Sequence, residues 1–267
     1  MAAAAGQCLL DVHSDAEHHR SVLTLGGPLA EVEAAARQLA TVAVHAIDLT
    51  THRGIHPRLG AVDVVPFVPL SGADGTVTSW EAIISARDAF AAWAASTLAV
   101  PCFLYGPERS LPEVRRQAFS ALSPDTGPVA PHSTAGAMAV GARTVLIAYN
   151  VWIAGPDAGS PAQAEAAEVA KTLAARLRRP GLRTLGLAVD GGAQVSCNVI
   201  DHDRVTLTEV FDEVATGSAE FNCSVTRGEL VGLLPQVALS AVHKERWVEL
   251  GLRAEDTIES RIGTRQD

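Results

Sequence analysis

The turn at residues 52–60, HRGIHPRLG, fixes what can lie on either side of it. Upstream, Leu29, Val32, Ala36, Leu39, Ala43 and Ile47 fall at helical spacing and Pro28 suits a first turn, which predicts an amphipathic helix from Pro28 to about Asp48. Downstream, Val62, Val64, Phe67 and Val68 predict a buried strand over 61–70, near a sheet edge because Pro66 and Pro69 cannot donate to a ladder. Between them, Gly54 and Gly60 open backbone geometries closed to other residues, and Pro57 fixes its own φ while pushing His56 out of helical geometry. The turn is therefore built to hold His56 in one pose. A titratable side chain on a stiff loop feeding a rigid strand can present a catalytic acid or base, and Arg58 adds a fixed cation suited to a carboxylate. The alternative at this level is a surface or capping histidine.

Alternating helix and strand signals continue along the chain. Residues 7–13 (QCLLDVH) and 20–26 (RSVLTLG) predict a hairpin. Thr78 and Glu81 have capping-box spacing ahead of an alanine-rich helix to about Thr97, and VPCFLYG at 100–106 predicts a short strand. LPEVRRQAFSAL predicts a short helix, and SPDTGPVAPHSTAGAMAVGA, ending at 142, reads as a long loop, functional or a linker. A second unit opens with the strand TVLIAYNVWI at 144–153. Its helix is marked by Ser160, Pro161 and Gln163 at the start and by Arg176, Arg178 and Arg179 at the end. TLGLAVD and AQVSCNVI follow as strands joined by Gly191 and Gly192, then a helix from about Thr208 capped by Thr206 and Glu209, and a strand FNCSVT at 221–226. From GELVGLLP onward the pattern reads as helix with turns. The class is α+β, two ferredoxin-like α/β sandwich subdomains over residues 1–142 and 143–267.

Composition narrows the ligand. A net charge of −9 argues against a nucleic-acid or anionic-membrane partner, either of which would want a basic face, and leaves small molecules. Cys8, Cys102, Cys197 and Cys223 form no CxxC pair, so neither a zinc ribbon nor a disulfide scaffold is signalled. MAAAAGQCLL lacks the basic start of a secretory signal, and Arg37, Gln38, His45 and Asp48 interrupt the longest apolar helix, so a cytoplasmic chain is expected. GxGxxG after a strand, a P-loop and GxSxG are all missing. Histidines 13, 18, 19, 52 and 56 could join nearby acids as a metal-dependent hydrolase, but Gly54 and Pro57 spoil the helix that His52 and His56 would need, so no metal is expected and His18 and His19 read as a solvated turn.

Taken together, DAEHHRSVLTLGGP, HRGIHPRLGAVDVVPFVPL, CFLYG, SPDTGPVAPHSTAGAMAVGARTVLIAYNV, AQVSCNVIDH and GELVGLLP resemble the formiminotransferase family of folate enzymes, in family order from about Leu9 to Arg261. The family's usual first strand and helix, with an Asn-Phe-Ser-Glu-Gly motif, has no counterpart here. The resemblance implies a cytoplasmic homodimer in histidine catabolism that uses tetrahydrofolate as co-substrate and no metal. It would move a formimino group between the folate N5 and an amine such as glutamate; a non-catalytic folate- or metabolite-binding relative is the alternative. By motif position it makes His56 the general acid/base with Arg58 beside it as a catalytic partner. It assigns folate binding to His13, His19, Arg20, Gly127, Pro128, His132, Ser133, Thr134, Ala135 and Gly136. The chain departs from the family pattern at Ile55, where an acid commonly precedes the histidine, at His13, at His19 and at Arg227-Gly228.

Overall fold

A computed structural model describes residues 1–71, 77–155, 160–190 and 192–264, with the backbone alone over 160–164. A 3-10 segment, Ala2–Cys8, leads into a two-stranded sheet of β1 (Leu9–Asp15) and β2 (Arg20–Leu25). Then come α1 (Leu29–Ala46), β3 (Val64–Phe67), α2 (Trp80–Thr97), β4 (Cys102–Tyr105), α3 (Leu111–Gln117) and β5 (Met138–Ala142). The remainder is β6 (Ile147–Ala154), α4 (Ser160–Leu177), β7 (Leu182–Val189), β8 (Gly192–Val199), α5 (Leu207–Ala219), β9 (Ser224–Val231), α6 (Gln236–Ser240), α7 (Trp247–Leu250) and α8 (Ile258–Gly263). Two units result, Met1–Leu9 with Leu25–Val145, and Leu10–Thr24 with Leu146–Asp267. Residues 10–24, expected with the first domain, thus group with the second. No helix among the described residues is long and apolar enough to cross a membrane.

In the first unit β3, β5 and β4 form a parallel sheet in that order, with Val64 paired to Ala139 and Cys102 to Met138. One face packs on α1 and α2 through Ala40, Val44, Phe67, Ile83, Phe90 and Val140. The other packs on α3 through Phe103, Tyr105, Val114 and Ala139. The edge position of β3 agrees with Pro66 within it, although the strand is shorter than 61–70 and leaves Pro69 outside. The expected loop through MAVGA is corrected: it is β5, the central strand, buried along its whole length. The strand lacks the usual β-branched run for a local reason: a Cβ on Gly141 would sit 2.1 Å from the Tyr105 ring, which leaves room there for glycine alone. A second correction concerns α2, whose cap is Ser79, accepting from Ala82 N at 3.2 Å, one residue after Thr78.

The second unit follows the order β6-α4-β7-β8-α5-β9 and pairs its strands as β7-β8-β6-β9, every neighbour antiparallel. This is the split-βαβ arrangement; the α+β class holds in both units, the first pairing parallel strands and the second antiparallel ones. α4 and α5 cover one face with Leu173, Ala174, Val210, Phe211 and Val214 against Tyr149, Val151, Val195 and Cys197. The capping box of α5 forms as expected, Glu209 N donating to Thr206 Oγ1 at 3.2 Å and Thr206 N to Glu209 Oε2 at 2.8 Å. The side chains expected to cap α4 and the Gly191 turn lie outside the described residues. GELV, expected to be helical, instead completes β9, where Gly228 leaves space for the Tyr149 hydroxyl to reach Leu250 O at 2.8 Å. All four cysteines are buried thiols.

Candidate active site

The 48–60 turn is assembled from its own polar groups before it meets the rest of its unit. Asp48 opens it by accepting from Thr50 N at 2.9 Å and Thr50 Oγ1 at 2.7 Å, bonds that hold its carboxyl below the usual range. Arg58 then folds back over the peptide it follows. Its Nε and Nη2 donate to the His56 carbonyl at 3.2 and 2.9 Å, Nη2 also donates to Gly54 O at 2.6 Å, and Nη1 meets Nδ1 of His52. A guanidinium used this way is a strut. It closes the loop 54–58 and leaves His56 half-buried, with its Nδ1 turned inward and Ile55 on the outside.

Beyond Arg58 the turn is stitched to the loop that precedes β5. Ala61 N donates to Ala135 O at 2.9 Å, Ala137 N to Leu59 O at 3.1 Å, and Leu49 N to Thr134 O at 2.8 Å, with Gly60 and Gly136 facing each other in an antiparallel bridge. The two glycines are what allow it. A Cβ at Gly60 would fall 2.0 Å from Ala137 O, and one at Gly136, which has φ of +68°, 2.4 Å from Leu59 O. Within the second loop, His132 Nδ1 accepts from Ala135 N at 3.1 Å and Thr134 N at 3.3 Å, while the main chains of His132 and Gly136 bond reciprocally at 2.8 and 3.0 Å. That fixes Nδ1 as the acceptor and, in the neutral ring, places the proton on Nε2. Ser133, Gly127 and Pro128 are exposed on the same loop. The structure therefore holds the 48–61 segment that carries His56 and Arg58 against Thr134, Ala135 and Gly136 through Leu49, Leu59, Gly60 and Ala61, which sequence spacing alone could not do.

A second brace comes from α3 and has no sequence signature. Arg115 Nη1 donates to Pro57 O at 3.2 Å, and Arg115 pairs with Asp63 through Nη2 to Oδ2 at 2.5 Å and Nη1 to Oδ1 at 3.3 Å. Asp63 Oδ1 also receives Leu59 N at 2.6 Å.

His13, His19 and Arg20 belong to the second unit. His13 Nε2 stands 3.6 Å from Glu229 Oε1, and Glu229 Oε2 accepts from Trp152 Nε1 at 2.8 Å and Asn150 Nδ2 at 3.1 Å. Arg227 stacks over Trp152 at 3.8 Å, and a groove of about 370 Å³ runs past Asp11, His13, Arg227, Glu229 and Arg253. Glu229, Asn150 and Trp152 had no motif to announce them; only alternation along β6 and β9 puts them on the sheet face away from α4 and α5. His19 is exposed and takes a φ of +49°, but the solvated-turn expectation fails for His18, which is 4% exposed with Nδ1 3.0 Å from Asp15 Oδ2. Burial pushes the Asp15 carboxyl up, and hydrogen bonds from the His18 main chain and ring outweigh it, leaving the carboxyl below its ordinary value. Among the described residues no group of three or more His, Cys, Asp or Glu is gathered as for a metal ion.

Comparison with known proteins supplies the context for this geometry. The pattern of the formiminotransferase domain, N-terminal subdomain, matches residues 1–143, and that of the formiminotransferase domain matches residues 148–249. The chain is 33% identical over 256 residues to the glutamate formimidoyltransferase of Streptococcus pyogenes serotype M1, covering 88% of this chain and 81% of that protein. It is 34% identical over 262 residues to the formimidoyltransferase-cyclodeaminase of Sus scrofa, covering 88% of this chain but 46% of the relative's length. The glutamate formimidoyltransferase of Thermoplasma acidophilum is 29% identical, with 88% and 81% covered. Both patterns together take in almost the whole sequence, the stitched loops included, and the chain belongs to the formiminotransferase family.

Proposed function

We propose that this protein transfers a formimino group between N5 of tetrahydrofolate and an amine, with His56 as general acid/base. The observation that carries the reading is the stitch across Gly60 and Gly136, which fixes the His56 turn against the 132–136 loop. The small residues Thr134, Ala135 and Gly136 suit close approach of a flat polar co-substrate, and Gly127 and Pro128 extend the same loop. His132 sets that loop's shape by accepting two of its amides. His13, His19 and Arg20 are assigned to folate by the resemblance alone.

The chemistry needs one proton relay. An amine attacking the amidine carbon loses a proton as the C–N bond forms, and the nitrogen that departs gains one as its C–N bond breaks. One imidazole near neutral pKa can take the first proton and return it to the second nitrogen. Arg58 holds the turn that presents the imidazole and adds positive charge beside it for an anionic portion of a substrate. The S. pyogenes relative is named for glutamate, which makes glutamate the first acceptor to test; assembly as a homodimer belongs to the same reading and would be seen by light scattering.

The test is turnover of 5-formiminotetrahydrofolate with glutamate and a panel of other amines, wild type against His56→Ala. A loss of roughly 10²- to 10⁴-fold in kcat is expected, with folate binding by calorimetry retained. Wild-type turnover by the alanine variant would remove His56 from the mechanism. Folate binding without turnover of any amine would point to a binding protein instead.

A further inference from the structure

We propose that Arg115, carried on α3, is a positioning residue for His56, with Asp63 as the group that orients it. The proposal rests on the reading of His56 as the acid/base. Two guanidinium groups grip consecutive carbonyls of the turn: Arg58 takes the oxygen of His56 and Arg115 the oxygen of Pro57. Each carbonyl fixes a peptide plane, and between the two planes the pyrrolidine ring of Pro57 already locks φ. The peptide on the C-terminal side of His56 is thereby set, and with Arg58 Nη2 also holding Gly54 O on the other side, the imidazole is left with its side-chain rotations and a narrowed backbone range.

Arg115 is in turn denied freedom. Its fork meets both oxygens of Asp63, at 2.5 and 3.3 Å, and the two side chains are only 24% and 18% exposed. Asp63 Oδ1 also holds Leu59 N at 2.6 Å, so the brace closes on the turn from both ends, at Pro57 and at Leu59. α3 is itself fixed at its start. Ser110 N donates to Glu113 Oε2 at 2.7 Å, and Arg109, just before the cap, pairs with Asp125 at 2.6 and 3.1 Å. The next residue along the helix, Arg116, is exposed and makes no such contact with the turn, so charge on α3 and a grip on the turn can be separated experimentally.

The experiment compares Arg115→Ala, Arg115→Lys, Asp63→Asn and, as the control, Arg116→Ala in the full chain, each alone and with His56→Ala. Removing the grip lets the turn drift by a fraction of an ångström to about 1 Å, which lowers kcat by roughly 10- to 100-fold while KM for the folate substrate stays within about threefold. Arg115→Lys keeps one donor and falls between, Asp63→Asn loses most of the same rate with the Leu59 amide still accepted, and Arg116→Ala matches wild type. In the His56→Ala background the Arg115 change costs nothing further, because the group it positions is gone. A merely structural role would instead lower both backgrounds equally, and that additivity overturns the proposal. Ring signals of His56 in a heteronuclear NMR spectrum shift or broaden in Arg115→Lys; unchanged signals with unchanged kcat overturn it also. If His56→Ala is slow while folded Arg115→Ala and Asp63→Asn turn over normally, the positioning role alone fails. If His56→Ala turns over like wild type, the acid/base reading fails and takes the positioning role with it.

Discussion

Replacing Gly60 by alanine tests the stitch that organises the candidate site. The new Cβ would meet Ala137 O at 2.0 Å and Ala135 O at 2.8 Å, well inside any contact a real Cβ makes. Relief requires the 59–61 and 135–137 segments to part by about 1 Å, which stretches Ala61 N to Ala135 O and Ala137 N to Leu59 O from 2.9 and 3.1 Å to roughly 4 Å, beyond hydrogen-bond range. Two net backbone bonds at about 1 kcal/mol each, with up to about 2 kcal/mol of residual overpacking, give a destabilisation of about 2–4 kcal/mol. At about 3 °C per kcal/mol for a chain of this size, the melting midpoint falls by roughly 6–12 °C. Because the displaced segment presents His56, kcat falls by at least about tenfold at a temperature where the variant is still folded. Gly263→Ala serves as the control, since its Cβ meets nothing within 4 Å. Calorimetric melting and steady-state turnover read the two quantities separately. A Gly60→Ala protein with wild-type midpoint and wild-type kcat would refute the account of how the two loops are held.

Two further outcomes follow from groups away from the site. Arg87 is 1% exposed and donates to both oxygens of Glu108 at 2.7 Å, so Glu108→Gln should cost about 2 kcal/mol at pH 7, less than for a fully buried pair because Glu108 is partly exposed. The hydrogen bond from Arg87 holds the Glu108 carboxyl below its ordinary value of 4.5, so this stability is fully present above that pH and is lost as pH falls through the folded-state value. Urea midpoints of wild type and variant should therefore converge near pH 3; a gap that persists there would be inconsistent with an ionic origin. Burial pushes the thiols of Cys102 and Cys197 up to about 12 and raises that of Cys223, so a disulfide reagent at pH 8 should label these three only after unfolding, and rapid labelling of the native protein would contradict their placement.

What could be read from the sequence was local. The helix spacing of α1, the Thr206 and Glu209 box of α5, and the glycine-proline frame around His56 depend on residues a few positions apart, and each formed as the residues require. Failures came where tertiary neighbours set the rule. MAVGA carries no clear strand signature because the reason for Gly141 is the Tyr105 ring on the neighbouring strand, and Gly228 resembles a turn residue because the reason for it is the hydroxyl of Tyr149. At the site, His56 was visible and its brace was not: Arg115 lies 58 residues from Pro57, and one of two adjacent arginines on a short helix looks like any solvated charge. Arg58 was legible as a cation near the histidine. Its bonds to Gly54 and His56 carbonyls give that charge a mechanical task as well.

The grouping of residues 10–24 with the second unit has a consequence for the order of assembly during synthesis. Glu17, on the turn of that hairpin, accepts the Asp190 amide at 3.0 Å, a contact between groups 173 residues apart in sequence. At ribosomal rates of about 5–20 residues per second the hairpin must wait roughly 10 to 35 s for the strands it joins. During that wait β1 and β2 form an isolated two-stranded ribbon, which is marginal in water by itself. Residues 10–24 are therefore a segment that the nascent chain holds in reserve, and refolding from denaturant, where all residues are present at once, should recover the second unit faster than synthesis does.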